Sequence, residues 1–351
     1  SMMVLFTLLL GLALSAVGVL TMPAVARLLR ATDAMMPDCV LYGRIVTGFT
    51  FAFMLQNVFQ SFFIAAEKPR LGLFVTVAAG VTNMVLDALF MAVFKWGVAG
   101  AAIATGLSQC VGGVLPLIYF LRPNSSLLRL RPTALRLRPI LQACGNGSSE
   151  LMSNISSSLV GMLYNFQLLR LIGEDGVSAY GVLMYVQFIF VAIFIGYSIG
   201  CAPVVSFHYG AGNQNELKSL LRKSTLLMAA GGVTLTAAAM LLASPLAKLF
   251  VGYDADLYAL TTHAFRLFSW SFLLAGFNIF ASGFFTALNN GAVSAIISFL
   301  RTLVFQAGSV IILPLLLDVD GIWCAITSAE IFAFIISCTF LLAKRNKYHY
   351  M

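Results

Sequence analysis

Leu71–Phe94 reads LGLFVTVAAGVTNMVLDALFMAVF, 24 residues whose one charge is Asp87. At 1.5 Å per residue a helix of that length covers about 36 Å, enough to cross a hydrocarbon core of about 30 Å. Comparable runs fall at 2–24, 41–66, 97–121, 147–172, 178–208, 224–246, 260–287, 292–317 and 321–343. In lipid every backbone N–H and C=O must find its partner within the protein, which leaves only helices and closed barrels. Runs this long and uniformly apolar select the helix. The expected fold is all-α: a polytopic membrane protein of about ten transmembrane helices.

The distribution of charge sets the expected orientation. Of 351 residues 60% are hydrophobic and only 10% charged, against roughly 25% charged in soluble domains. Glu67–Arg70, Arg122–Arg138, Lys218–Lys223 and Lys344–Lys347 together hold thirteen Lys and Arg. The alternate connections hold five: Arg27, Arg30, Lys95, Arg170 and Lys248. By the positive-inside rule the first set is cytoplasmic, and so are both chain ends. The net charge of +8 therefore reads as membrane orientation rather than nucleic-acid binding. The six cysteines are scattered without a CxxC pair, which implies neither a disulfide framework nor a metal centre. The first 20 residues lack the basic start of a signal peptide and read as a membrane helix.

A weak internal repeat divides the chain. Arg44 and Arg266 each open a span from its outer end, and their offset of 222 also aligns Phe62, Phe63 and Ala65 with Phe284, Phe285 and Ala287. Same-direction repeats place a pseudo-twofold axis along the membrane normal. The expected organisation is an N-terminal lobe over 1–121 with four helices, a cytoplasmic loop over 122–138, and a C-terminal lobe over 139–351 with six. Equal lobes would require two further helices before residue 1, twelve in all, and the chain is read as lacking them.

The polar residues inside the spans are the candidate site. A carboxylate in hydrocarbon costs at least a few kcal/mol and rarely stands there without a partner or a task. Asn83 lies one turn from Asp87 on the same face, and Thr105 lies as far after the Trp96 turn as Asp87 lies before it. Carboxylate, amide and hydroxyl at one depth suit a small cation or a proton, with a hydrogen-bonded packing trio as the alternative. Glu150 opens a polar series (Ser153, Asn154, Ser156, Ser157, Ser158, Asn165) and reads either as the second lobe's ionisable group or as an interfacial capping acid. Counted from the outer turn, Arg301 and Glu330 differ by about 10 Å in depth. The expectation is a snorkelling arginine and a separately hydrogen-bonded glutamate. Pro203 is expected to break its helix.

At these residues the chain resembles the multidrug and toxic compound extrusion (MATE) family, particularly its bacterial members. The resemblance rests on NMVLDALFM at 83–91, GVAGAAIAT at 97–105, PVVSFHYGAGN at 203–213 and the acidic start at Glu150. It implies a two-lobed, twelve-helix antiporter of the plasma membrane that exports drugs or organic cations against H⁺ or Na⁺, without a cofactor, as a monomer. Asn83, Asp87 and Thr105 match the family's first-lobe cation site, whose fourth ligand belongs to a helix this chain lacks. Glu150 matches an acid used by some members, but the acid those members carry on the tenth helix is missing between Arg266 and Asn290. That departure favours the first lobe. A lipid-linked oligosaccharide flippase of the same superfamily is the alternative. An enzyme is disfavoured, because His208, His263 and His349 are too dispersed to form a site and no HExxH motif occurs. An ATP-driven pump is disfavoured by the lack of a Walker A loop.

The orientation can be tested by cysteines introduced at Ser125 and Asp318 of a protein freed of its native cysteines. Only position 318 should react with an impermeant thiol reagent added outside. Labelling of position 125 from outside would overturn the assignment.

Overall fold

A computed structural model describes residues 1–28 and 36–350; Arg30, counted above, lies outside them. The described residues contain no strand and divide into two compact units, Ser1–Ile140 and Leu141–Met351. The first holds α1 (Met2–Leu28), α2 (Met36–Gly48), α3 (Thr50–Ala65), α4 (Pro69–Asp87), which runs into a π-helical segment over Ala88–Val93, and α5 (Gly97–Leu121). A short α6 (Leu137–Asn146) crosses the boundary. The second unit holds α7 (Ser148–Leu171), α8 (Glu174–Gly210), α9 (Gln214–Val251), α10 (Ala255–Ser269) and α11 (Phe272–Ala287). It continues with α12 (Gly291–Phe299), a second π-helical segment over Leu300–Phe305, α13 (Gln306–Ile312) and α14 (Pro314–Tyr348).

Among the described residues seven helices are long and apolar enough to cross a membrane, and nine if the bent pairs α2/α3 and α10/α11 each count as one span. α7 matches them in length, but its serines, asparagines and Glu150 make it less apolar. The outer face of α4 exposes Leu73, Phe74, Val77, Val81 and Met84. In water such a face would drive association, whereas in lipid it is the natural exterior. The chain is a multi-pass membrane protein.

The repeat offset reappears in the helix boundaries. Adding 222 to the bounds of α3 gives 272 and 287, those of α11, and adding it to Pro69 gives Gly291, where α12 begins. The bends of 44° and 49° also fall at matching places, between α2 and α3 and between α10 and α11. Two sequences of low identity thus break and restart their helices at equivalent residues.

Each unit packs around one central helix. In the first unit α5 buries Gly100, Ala102, Ala104, Gly106, Gly112 and Gly113 against α2, α3 and α4. Small residues let helix backbones approach closely, the main source of packing energy between membrane helices. At one end Phe59, Phe63 and Phe120 close the unit, with Phe59 stacked on Phe120 at 5.6 Å. In the second unit α11 is the hub, packed on α8, α9, α12 and α14.

Two expectations are corrected. α8 continues through Pro203 to Gly210 without a break. Lys218–Lys223, read as a loop, forms early turns of α9, whose N-terminus is capped where the Asn213 side chain accepts from the Glu216 N–H at 3.3 Å. At 38 residues α9 is about 57 Å long, so its basic first turns extend beyond the hydrocarbon.

Gly232 of α9 marks a close backbone approach between α9 and α11. A Cβ there would lie 2.5 Å from the Leu273 carbonyl oxygen, which cannot turn aside as a side chain would. Gly232→Ala should destabilise the protein by about 1–3 kcal/mol, the usual cost of overpacking, read as a lowered unfolding midpoint in detergent. An unchanged midpoint would show that the α9/α11 contact is looser than this.

Candidate functional site

The first candidate lies on α4. Asp87 is the last α-helical residue before the π segment, and Asn83 stands one turn earlier. π-helical turns in membrane and soluble helices occur frequently at functional sites. Both side chains are half-buried. Asp87 Oδ1 and Asn83 Nδ2 are buried atoms with no hydrogen-bond partner among the described residues. The Asn83 amide nitrogen and oxygen are interchangeable by a flip of the side chain, so this position can face a cation with its oxygen.

The hairpin into α5 sets the register with Thr105. Lys95 and Gly97 take positive φ (56° and 57°), and the Trp96 N–H donates to the Phe90 carbonyl at 2.9 Å. Trp96 stacks on Phe90, and Phe90 packs against Gly100, where an added Cβ would lie 2.9 Å from the Phe90 side chain. Counting inward from the Phe90–Gly100 level puts Thr105 opposite residue 85, between Asn83 and Asp87 in depth. The Thr105 hydroxyl forms no hydrogen bond to either, and its carbonyl accepts from Ser108 Oγ at 2.8 Å. By this count Asn83, Asp87 and Thr105 stand at neighbouring depths, and no hydrogen bond joins their side chains among the described residues.

Glu150 lies in the other unit, exposed in the first turn of α7. A carboxylate there complements the helix dipole. The polar series behind it is satisfied internally: the Asn154 amide donates to the Glu150 carbonyl at 2.8 Å, and Ser157 Oγ to the Ser153 carbonyl at 2.8 Å. Two hollows, of about 440 and 420 Å³, line the second unit beside Asn165 and Glu174 and beside Asn146 and Asn289. Neither is lined by any of the four residues singled out from the sequence.

Sequence reasoning missed a second polar centre. Arg301 and Glu330, expected to stand apart, form an ion pair: Arg301 Nη2 donates to Glu330 Oε1 at 2.6 Å, and Nε donates to Oε1 and Oε2 at 2.9 and 3.1 Å. Asn278 Nδ2 donates to Glu330 Oε2 at 2.7 Å and to its carbonyl at 3.0 Å. The error lay in where the outer turn was placed. Asp318 does reverse the backbone (φ 48°, ψ −130°), but Gly321 already abuts Leu313 and Pro314. The two helical arms of the hairpin therefore meet at 313 and 321, twelve residues from Arg301 and nine from Glu330. A difference of three residues is about 4.5 Å, which an arginine side chain spans.

Below this centre α11 and α12 are joined by hydroxyl rungs. Thr286 Oγ1 donates to Ser294 Oγ at 2.8 Å, and Ser282 Oγ meets Ser294 Oγ and Ser298 Oγ at 2.8 and 2.9 Å. Asn278 and Arg301 continue the same two faces at helical spacing.

The MatE family model matches residues 1–89 and 151–311, which include Asn83, Asp87 and Arg301 but neither Thr105, Glu150 nor Glu330. Multidrug export protein MepA of Staphylococcus saprophyticus is 22% identical over 277 residues, covering 77% of this chain and 58% of its own length. MepA of Staphylococcus haemolyticus is 21% identical over 274 residues with the same coverage. The chain thus spans less than two thirds of these relatives. Among solved structures, a MATE protein in complex with MaL6 superposes with a TM-score of 0.93 at 20% identity, over 99% of this chain and 79% of that one. An outward-facing multidrug resistance MATE family transporter gives 0.92 at 21% identity, over 99% and 78%. At such identities these likenesses show the fold alone.

Proposed function

The chain belongs to the MatE family, a family of transporters rather than enzymes, and from that premise we propose that it acts in a secondary antiporter in which Asp87 couples drug export to a monovalent cation, H⁺ or Na⁺. The observation that carries this reading is the buried Oδ1 of Asp87, without a partner among the described residues, inside the 24-residue run Leu71–Phe94 where it is the one charge. A carboxylate so placed is stable only when something neutralises it, and a cation that arrives and departs does so reversibly. Asn83 and Thr105 supply further oxygens at neighbouring depth, in keeping with the hard-donor preference of small cations. Substrates are small-molecule drugs, as the name of the MepA relatives suggests, or organic cations, as the family resemblance implies. The two units serve as the lobes, with the basic Arg122–Arg138 segment and both chain ends on the cytoplasmic side of the plasma membrane. Glu150 is read as an interfacial acid of α7.

Flipping a lipid-linked pyrophosphate would call for free positive charge at depth. Arg301, the arginine set well inside the second unit, is already neutralised by Glu330. This argues for the antiporter.

Asp87→Asn keeps the size of the side chain and removes its charge. In vesicles holding the full-length protein, gradient-driven drug efflux should fall to the level of protein-free vesicles while insertion is unchanged. Normal efflux by a well-inserted Asp87→Asn variant would reduce the α4 group to packing.

A further inference from the structure

The second unit contains a charge pair with no role in the coupling reading above. Glu330 is 4% exposed and Asn278 fully buried. Asn278 lies ten residues before Leu288, at the turn between α11 and α12, so the pair sits about 15 Å from that turn, near half the thickness of the hydrocarbon core. Water cannot neutralise a carboxylate there, and Arg301 does.

We propose that Glu330 and Asn278 form a monovalent-cation cradle in the second unit, and that the Arg301 guanidinium occupies it permanently as a tethered cation. Three features support the assignment. Both carboxylate oxygens face the guanidinium, and Oε1 accepts from two of its nitrogens. The Asn278 amide is held in one orientation by its two bonds to Glu330, since the reverse would set its oxygen against the carboxylate. That leaves Asn278 Oδ1, buried and without a partner among the described residues, as an unused oxygen on the amide that holds the carboxylate. The third feature is access. The Arg301 side chain is 21% exposed against 5% for Glu330, so the cradle opens along the path by which the arginine enters it.

Two consequences follow. The second unit has no exchangeable charge at this depth, which leaves ion response to other groups. Removing the guanidinium, but not its partner, should create a cradle that takes a free cation of matching shape. Arg301→Ala leaves room for ethylguanidinium, whose planar fork reproduces the lost donors.

The test uses full-length protein purified in detergent, every variant carrying Asp87→Asn so that the first unit's response is absent whichever role Asp87 has. Unfolding midpoints are measured with millimolar ethylguanidinium chloride or the same concentration of choline chloride. The Asp87→Asn/Arg301→Ala variant should be destabilised and should regain a few degrees, saturably, with ethylguanidinium alone. Asp87→Asn itself should not respond, because its cradle is filled. Nor should Asp87→Asn/Arg301→Ala/Glu330→Gln, because its cradle carries no charge. Equal responses in all three would overturn the proposal. So would an Arg301→Ala protein that gains nothing, whether it folds or is recovered only as aggregate in both salts.

Discussion

A carboxylate in hydrocarbon has two stable solutions: a permanent counter-charge or one that comes and goes. Both kinds of environment occur in this chain. In the second unit the buried Glu330 is held by Asn278 and neutralised by Arg301. In the first unit Asp87 carries a buried oxygen with no partner among the described residues. The apolar composition forces helices, and the helices force these few charges to be accounted for individually.

The two centres are built on the same element. In each unit the long helix ahead of the final hairpin is interrupted by a six-residue π-helical segment, Ala88–Val93 in the first and Leu300–Phe305 in the second. Asp87 immediately precedes one, and Arg301 lies within the other. A π turn is less favourable than the α-helix around it and persists where neighbouring packing determines it. In the first unit that packing includes Phe90 of the π segment against Gly100, while in the second the hairpin closes further on, Leu313 and Pro314 against Gly321. The hairpins are thus positioned to set the depth of each polar group.

Much of this was legible in the sequence because apolar length is a strong signal in lipid. The all-α class and the spans follow from it, whereas the 222-residue offset came from Arg44 and Arg266 and a few Phe and Ala matches; helix starts at 272 and 291 match those at 50 and 69. What the sequence hid depended on local geometry. Counting 1.5 Å per residue from an assumed turn at 318–320 separated Arg301 from Glu330, because the hairpin already meets at 313 and 321. Pro203 looked like a helix break, yet α8 passes through it. Asp87, the one charge in its run, was visible at once, whereas the triad required three helices to be brought together.

Coupling through Asp87 requires an exchangeable counter-charge. Its most direct test is drug efflux by the full-length protein in vesicles under separately imposed Na⁺ and pH gradients. One of the two gradients should drive accumulation against the drug's own gradient, and collapsing it should stop transport. Efflux that is indifferent to both, and that only dissipates the drug gradient, would contradict the account.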